Sequence, residues 1–176
     1  MPKPAAQDPN EPLPVVDAQD RVVGQAPRWR IHRDGLRHRA VHVIVLDGRG
    51  RVYLQLRSAA KDSHPGQWTS SASGHVDPGE GYDAAARREL GEELGLDLTP
   101  TPVGRLAAGP ATDNEFTAVY LLATDQPPSP NPVEIAEGRW FTPAEALALA
   151  ADPAQAVPAL EPVLRLALAG PGASPP

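Results

Sequence analysis

The sequence predicts an α/β domain in which helices cover both faces of a mixed β-sheet. Three observations predict this fold: apolar runs of strand length, helix-length segments interleaved with them, and tight turns between several of the strands. Tight turns join antiparallel strands, whereas parallel strands need long crossovers, so a wholly parallel sheet is excluded. A chain of 176 residues is long enough for one such domain with a buried core.

The strand predictions rest on β-branched content and on alternation. A buried strand is predicted for the apolar run AVHVIVL, and a second strand for RVYLQL after the turn DGRG. The run FTAVYLLA predicts a third strand, and GRWF predicts a short fourth one. A hairpin is predicted at VVDAQDRVVG, with residues 17–20 as its turn. The four strands cover residues 40–46, 51–56, 116–123 and 138–141.

Three helices are predicted from their start and stop signals. The first covers residues 82–94 and ends at Gly95, a residue type that favours the left-handed conformation at a helix C-terminus. The second begins with Thr142 as its N-cap, followed by a proline and by Glu145 three residues after the cap. The third covers residues 158–169.

Composition sets the expected boundaries and argues against several classes of protein. Proline-rich ends predict disordered tails at residues 1–14 and 170–176, around a single domain at residues 15–169. Because the chain has no cysteine, disulfides, thiolate ligands and thiol nucleophiles are excluded. We find no apolar run of membrane-spanning length and no secretory signal, so we expect a cytoplasmic protein without a membrane partner. A net charge of −6 argues against nucleic acid as a partner.

The first helix carries an acidic cluster. Its apolar residues recur at every fourth position and would face the core: Ala86, Leu90 and Leu94. Glu89, Glu92 and Glu93 stand at positions i, i+3 and i+4, so their carboxylates converge on one patch of the helix surface. Such a patch is commonly a solvated surface, but converging carboxylates are also the ligands that Mg²⁺ prefers.

The spacing around this cluster decides between the two interpretations. Residues 74–96 resemble the Nudix box, G-x5-E-x7-R-E-U-x-E-E-x-G-U, in which U is an aliphatic residue. Every specified position matches: Gly74, Glu80, Arg88, Glu89, Leu90, Glu92, Glu93, Gly95 and Leu96. At about 7% usage per residue, the fixed identities coincide by chance on the order of 10⁻⁸ per starting point. The sequence is identified as a member of the Nudix family by this resemblance.

The family resemblance implies a fold and a set of residue roles. It implies an α/β/α sandwich around a mixed sheet, and hydrolysis of nucleoside diphosphates linked to another moiety. By the resemblance, Glu89, Glu92 and Glu93 bind catalytic Mg²⁺ or Mn²⁺, and Glu92 or Glu93 also serves as general base for the attacking water. It further implies that Arg88 orients a box glutamate through a salt bridge, and that Glu80 supports the loop or binds a further metal.

The resemblance extends, over roughly residues 14–150, to a subgroup similar to isopentenyl-diphosphate isomerase. By that similarity, three histidines and an acidic pair form a second metal site, either working or vestigial: His32, His38, His75, Asp113 and Glu115. Imidazole and carboxylate together suit Mn²⁺ or Zn²⁺. The spacing between His32 and His38 is one residue shorter than in the isomerase.

The isomerase similarity also raises a choice between two reactions. Isomerisation needs an acid and a base on opposite faces of the alkene, and the isomerase uses a cysteine for one of them. Ser73 stands at the corresponding position here, and an alcohol is a far weaker acid than a thiol. Because the isomerase's own box is degenerate and this box is complete, we expect a hydrolase with a small-molecule nucleotide substrate. The alternatives are an isomerase-like protein and a non-catalytic nucleotide sensor, and both monomer and homodimer stay open.

The remaining candidate residues concern the substrate. Arg57 and Lys61 lie near strand ends, where they either meet phosphates or are ordinary surface charges. Trp68 either stacks on a base or is buried in the core. Glu137 follows the proline-rich loop, in a region from which some members of the family recruit a general base, and it is the candidate for that role here.

Overall fold

The structure, a computed structural model, describes residues 7–170. Nine strands lie in that range: β1 (Pro12–Val16), β2 (Val22–Pro27), β3 (His38–Leu46), β4 (Val52–Arg57), β5 (Trp68–Thr69), β6 (Ala72–His75), β7 (Thr101–Leu106), β8 (Glu115–Ala123) and β9 (Ile135–Phe141). Four α-helices lie in the same residues: α1 (Arg28–Asp34), α2 (Tyr82–Leu94), α3 (Pro143–Ala150) and α4 (Leu160–Ala169). None of these helices is both long enough and apolar enough to cross a membrane.

The main sheet is mixed, as predicted. Strand β3 pairs in parallel with β8, and β7 lies antiparallel on the outer side of β8. On the other side, β4 pairs antiparallel with β3 and with β9. The long strands therefore follow the order β9–β4–β3–β8–β7, with β3 and β8 as the one parallel pair among the described strands.

A gap opens between β3 and β4. Their pairing is limited to Val45–Leu46 with Val52–Tyr53. Beyond this point β5 pairs with β4 and β6 pairs with β3, so the segment that contains β5 and β6 fills the space between the diverging strands. The Ser71 hydroxyl joins them, because it accepts a hydrogen bond from the backbone N–H of Val45 and donates one to the carbonyl of Tyr53. The candidate site lies at this opening.

Helices cover both faces of the sheet, as predicted. The apolar stripe of α2 is fully buried: Ala86, Leu90 and Leu94. It packs with Val43 of β3, whereas the neighbouring Ile44 points to the opposite face and packs with Leu160 of α4. Helix α2 has the predicted bounds, and Thr142 caps α3 as predicted. The third predicted helix begins at Leu160 instead of residue 158.

The N-terminal strands correct the predicted domain boundary. The sequence predicts a disordered tail up to residue 14, but β1 begins at Pro12, and Leu13 is fully buried in a cluster with Ile31 of α1. Strand β1 pairs only with β2, and an edge strand tolerates prolines that have no N–H group to donate. The hairpin turn at residues 17–20 is confirmed, and α1 is an unpredicted helix. Residues 1–6 and 171–176 of the predicted tails lie outside the described residues.

Candidate active site

A cavity of about 320 Å³ lies at the opening between β3 and β4. Its walls come from β3, β6, α2, the start of α1, and the loops that follow β4 and precede β9. Charged side chains of both signs line it: Glu11, Asp77, Glu89, Glu92, Asp113, Glu115 and Glu134 are acidic, and Arg28, Arg57, Lys61 and Arg88 are basic. Carboxylates together with cationic side chains favour an anionic ligand that binds with a metal ion.

Gly74 gives Glu89 its place in the wall. A Cβ atom at residue 74 would lie 2.1 Å from the Cδ and Oε1 atoms of Glu89, far inside van der Waals contact. The Glu89 carboxylate therefore lies directly over the backbone of β6, where only 8% of the residue is exposed. The first glycine of the box is required by this close approach, because any larger residue would displace the carboxylate.

Arg88 binds three box glutamates at once. Its guanidinium donates a bidentate pair of hydrogen bonds, both 2.9 Å long, to the Glu80 carboxylate. It also donates to Glu89 at 2.6 Å and to Glu92 at 3.3 Å. The hydrogen bonds to Glu80 and the charge of Glu89 raise the pKa of Arg88 above its ordinary value. Glu80 also accepts from the backbone N–H of Asp77 at 2.9 Å, which places it as a support for the loop before α2.

Glu93 is the most deeply buried of the box glutamates. Its Oε2 atom accepts hydrogen bonds from the side chain of Gln55 at 2.6 Å and from the backbone N–H of Ser73 at 3.0 Å. Burial raises the pKa of Glu93 to about 7, even though Lys61 acts in the opposite direction. Burial and the charge of Glu93 likewise raise the pKa of Glu89 well above its ordinary value. The three glutamates predicted to share one patch of the helix surface therefore differ in burial. Glu89 and Glu93 are buried, whereas the Glu92 side chain is 52% exposed.

Four of the five residues predicted for a second metal site come together. The candidate ligand atoms of His32, His38 and His75 lie within 4.8 Å of one another. The Oε1 atom of Glu115 lies 3.3 Å from Nε2 of His38 and 3.2 Å from Nε2 of His75. Burial lowers the pKa of His32, and lowers that of His75 to about 3. Burial opposes ionisation of Glu115, but contacts with the two histidines outweigh it and hold the pKa of Glu115 well below its usual range.

Asp113 does not join this cluster, so the prediction for Asp113 is wrong. Its carboxylate instead contacts Nε2 of His64 at 2.8 Å, and this hydrogen bond raises the pKa of His64. An extended backbone would place residues 113 and 115 on one face of a strand. Asp113 and Asn114 both have positive φ angles, 51° and 60°, and this left-handed turn directs the two acidic side chains to different places.

Ser73 lies in the cavity wall, on β6, opposite His42 of β3. The position that corresponds to the isomerase cysteine is therefore at the site, and it carries a hydroxyl. His42 is buried beside it, with Nδ1 2.8 Å from the hydroxyl of Ser70, and burial lowers its pKa to about 4. This histidine also lines the cavity, where Ser70 holds its ring in place.

Arg57 and Lys61 both line the cavity and are not ordinary surface charges. The Lys61 ammonium is buried, 2.8 Å from Glu134 and 3.7 Å from Glu93. Arg57 donates to the backbone carbonyl of Ser63 at 3.0 Å and to its hydroxyl at 3.2 Å. Both cations are thus fixed in position at the wall of the cavity.

The structure decides between the two alternatives for Trp68 and places Glu137 away from the cavity. Trp68 belongs to the core on the α4 side of the sheet, where its ring meets Phe141 edge to face at 5.3 Å, and it does not line the cavity. Glu137 lies outside the cavity and is half exposed on β9, paired with Arg139 at 2.5 Å. Within the same segment, Glu134 lines the cavity in its place. Glu134 precedes β9, so the alternation of side chains along a strand does not fix its direction. Glu137 lies within β9, and its side chain points away from the cavity.

Arg28 is the principal site residue that the sequence did not reveal. It is 5% exposed, and its guanidinium contacts Asp62 at 2.7 Å and Nδ1 of His75 at 2.8 Å. In the sequence it belongs to RWRIHRD, a segment that resembles an ordinary basic surface. The preceding proline, which stands at the start of α1, was the available signal for a helix there.

Comparison with known proteins agrees with this geometry. The NUDIX domain model matches residues 36–162. A Nocardia farcinica protein named isopentenyl-diphosphate Delta-isomerase is 43% identical over 164 residues, which cover 89% of this chain and 94% of that protein. An uncharacterised Nudix hydrolase of Yersinia pestis is 36% identical over 132 residues, which cover 74% of this chain and 72% of that protein.

A solved structure agrees with the same assignment. The crystal structure of a Deinococcus radiodurans protein superposes with a TM-score of 0.77 at 32% sequence identity, covering 88% of this chain and 98% of that one. The fold, the complete box and the match of the domain model over most of the sequence all point to one family. The chain belongs to the Nudix family, with similarity to proteins named as isopentenyl-diphosphate isomerases.

Proposed function

We propose that the protein is a divalent-cation-dependent hydrolase of a nucleotide phosphoanhydride bond. Its substrate would be a nucleoside di- or triphosphate, or a nucleoside-diphosphate derivative, attacked by water at phosphorus. The observation that carries the proposal is the pair of buried carboxylates, Glu89 and Glu93, beside a polar cavity. Two neighbouring carboxylates are costly to bury unless a cation compensates their charge.

The box residues fit Mg²⁺ or Mn²⁺. Both ions prefer oxygen ligands, and Glu89, Glu92 and Glu93 present carboxylates from adjacent positions of one rigid helix. The raised pKa values of Glu89 and Glu93 reflect the same burial and repulsion that a bound dication relieves. When bound, the ion supplies a Lewis acid for phosphate oxygens and lowers the pKa of a water ligand.

The chain's own side chains then have separate tasks. Arg57 and Lys61 hold fixed positive charges at the cavity wall, where they bind the phosphate oxygens of the substrate. Glu93 is held by its hydrogen bonds and acts as a ligand. Glu92 is the most exposed of the three ligand candidates, so we assign to it the removal of a proton from the attacking water.

Glutamine substitutions test this assignment. Glu92→Gln and Glu93→Gln are expected to lower kcat by about 10²–10⁴-fold, because they remove a proton acceptor and an anionic ligand without changing side-chain size. Turnover is measured with Mg²⁺ or Mn²⁺ on nucleotides, nucleotide sugars, dinucleoside polyphosphates and isopentenyl diphosphate, with products identified by mass spectrometry. Glu161→Gln on the exposed side of α4 is the matched control and should retain activity.

Two results would contradict the hydrolase. Full activity in excess EDTA would exclude the metal-dependent mechanism, and full activity of Glu93→Gln would exclude the assigned ligand. Saturable nucleotide binding without any product would instead indicate a sensor.

The histidine cluster favours a second candidate, an isomerase of isopentenyl diphosphate. The support is the convergence of His32, His38, His75 and Glu115, together with the 43% identical relative of that name. Against it stands Ser73, whose hydroxyl is a poor proton donor where a thiol would be needed. Conversion of isopentenyl diphosphate to its dimethylallyl isomer, followed by proton NMR, distinguishes this reaction from hydrolysis, which releases phosphate or a monophosphate.

A further inference from the structure

His42 presents a hydrogen-bond acceptor to the cavity. Its Nδ1 atom lies 2.8 Å from the Ser70 hydroxyl, which donates its own proton to the backbone carbonyl of Ala72 at 3.2 Å. A hydroxyl has one proton, so Ser70 accepts at the contact with His42 and Nδ1 is the donor. Burial lowers the pKa of His42 to about 4, so the ring is neutral near pH 7. Its one proton therefore lies on Nδ1, and Nε2 has the lone pair.

No protein group in the described part of the chain satisfies this lone pair. Within residues 7–170, Nε2 of His42 has no hydrogen-bond partner, although the residue is only 6% exposed. The ring lines the cavity and Ser70 occupies its other nitrogen, so Nε2 is the polar atom that the ring offers to a ligand. A buried acceptor without a partner is unfavourable, which favours a ligand that donates a hydrogen bond to it.

His42 lies on a part of the cavity wall that is separate from the candidate metal ligands. It stands four residues beyond His38 on the same face of β3, a separation of about 13 Å along an extended strand. Ile44 of that face packs with Leu160 of α4, whereas the box glutamates project from α2 on the other side of the sheet. Through the gap between β3 and β4, the cavity therefore extends from the carboxylates on the α2 side to His42 on the α4 side.

The α4 side of the cavity also has an apolar wall. Val157 and Ala159 are buried and line the cavity from the segment between α3 and α4. Two backbone hydrogen bonds join that segment to β5, from Trp68 to Gln155 at 2.8 Å and from Val157 to Trp68 at 3.0 Å. A firmly held apolar wall with one well-placed polar group is typical of a subsite that orients the uncharged part of a ligand.

We propose that His42 is a specificity-determining residue, which accepts a hydrogen bond from an N–H or O–H group in the nucleoside part of the substrate. The inference rests on the proposed function and adds the placement of the substrate. The phosphates would lie among the charged groups of the α2 side, and the base or the ribose would lie against His42 and Val157. The hydrocarbon group of isopentenyl diphosphate has no such donor and would leave Nε2 without a partner, so His42 selects against it.

Analogues that each lack one donor test the inference. The nucleoside diphosphate with the highest kcat/KM is compared with analogues that lack a base amino or ring N–H group, and with its 2′-deoxy and 3′-deoxy forms. The first set tests the base as the source of the donor, and the second set tests the ribose. For one of these analogues, we expect the kcat/KM of the wild-type protein to fall about 10–100-fold.

Two variants assign this preference to Nε2 of His42. His42→Asn places an amide where Nδ1 stands, so it keeps the contact with Ser70 and loses the acceptor. His42→Gln places an amide oxygen near the position of Nε2 and retains an acceptor there. The preference should shrink to about 2–3-fold in His42→Asn and largely persist in His42→Gln. An unchanged preference in His42→Asn, or an equal loss in both variants, would overturn the inference.

Nitrogen-15 NMR of the full-length wild-type protein gives a test that needs no variant. In the free protein, Nδ1 of His42 should be protonated and Nε2 should not be. The Nε2 signal, assigned through the backbone of β3, should shift when the methylene-bridged analogue of the preferred nucleotide binds with Mg²⁺. Methylenediphosphonate, which has the phosphate part alone, should leave that signal in place. A protonated Nε2 in the free protein, or equal responses to the two compounds, would contradict the role of His42.

The outcomes separate this inference from the proposed function. If the protein binds nucleotides and cleaves none, the hydrolase is excluded, and Kd values then replace kcat/KM in the same comparison of analogues. If nucleotides are cleaved and no analogue shows a preference that depends on His42, the hydrolase stands and the role of His42 is overturned. Tighter binding of isopentenyl diphosphate than of any nucleotide would overturn both.

Discussion

At the residue scale, the cationic side chains around Glu93 only partly compensate the charge of the carboxylates there. Lys61 is one ammonium group shared by two carboxylates, those of Glu93 and Glu134. Arg88 is shared in the same way among three box glutamates. The carboxylates therefore outnumber the chain's own cations at this wall. Because buried charge of one sign is unfavourable, the surplus favours binding of a dication over an empty site.

Gly74→Ala tests how closely the Glu89 carboxylate must approach β6. The added methyl group would overlap the carboxylate, so Glu89 must move out of its place beside Glu93. We expect a weaker apparent affinity for Mn²⁺ and a fall in activity of about 10–100-fold, as for other changes that misplace a metal ligand. The measurement is turnover as a function of Mn²⁺ concentration.

Gly81→Ala is the control for that variant, because a Cβ atom at residue 81 meets nothing within 4 Å and its φ of −90° suits any residue. It should retain the wild-type dependence on Mn²⁺. If Gly74→Ala retains that dependence too, the close contact between residue 74 and Glu89 has no part in metal binding.

The box residues could be predicted from the sequence because their arrangement is local. One helix and the loop before it hold Glu80, Arg88 and the three ligand candidates, and helical periodicity fixes their relative directions. Asp113 and Glu137 were predicted wrongly because their directions depend on other features. A left-handed turn redirects Asp113, and pairing of β9 with β4 sends Glu137 away from the cavity.

Among the elements, α2 is fixed at both ends. The loop before it is held by Arg88 and Glu80. At its C-terminus, the proline-rich loop caps the helix, because the backbone N–H groups of Ser129 and Asn131 donate to the carbonyls of Leu94 and Glu93, both at 2.8 Å. These bonds satisfy carbonyls that a helix end leaves without partners. The proline-rich loop at residues 125–132 thus helps to hold α2 in position.

Thr142→Ala tests the capping box of α3. The Thr142 hydroxyl accepts from the backbone N–H of Glu145, and the Glu145 side chain accepts from the backbone N–H of Thr142. Losing this cap should cost about 1 kcal/mol and lower Tm by about 2–4 °C. Catalytic activity at 25 °C should be unchanged, since α3 contributes nothing to the cavity wall.

Differential scanning calorimetry measures the effect, and Thr99→Ala at an exposed loop position is the matched control. An equal fall in Tm for both variants would show that the cap of α3 makes no special contribution.

Helix caps were readable in the sequence, but short elements that depend on tertiary packing were not. Helix α1 has seven residues, too few for a clear apolar periodicity, and it is held by burial of Ile31 and Arg28. The prolines of β1 are typical of a disordered tail, and a single buried leucine, Leu13, does not change the composition of the segment. Composition describes an average over a segment, whereas burial of one leucine can decide whether that segment is ordered.

Across the whole molecule, the site joins parts that are far apart in the sequence. The N-terminal unit of β1, β2 and α1 supplies His32 and Arg28, and the main sheet, α2 and the loops between the strands supply most of the other residues. Asp20 in the hairpin turn connects the two parts through Arg39 of β3 at 2.7 Å and the Tyr82 hydroxyl of α2 at 2.9 Å. We therefore expect the N-terminal unit to unfold together with the main domain.

Leu13→Ala tests this cooperativity. Leu13 is fully buried in the small cluster with Ile31, so removing its side chain should cost about 2–5 kcal/mol of the free energy of unfolding. Urea unfolding is followed by circular dichroism for the whole fold and by the His32 NMR signal for α1, and both midpoints should fall together. Val23→Ala, at a 64% exposed position of the same hairpin, should change either midpoint little. If the His32 signal is lost at lower urea than the main transition, the N-terminal unit is a separately unfolding part, and Arg28 and His32 are present at the site only while that unit is docked.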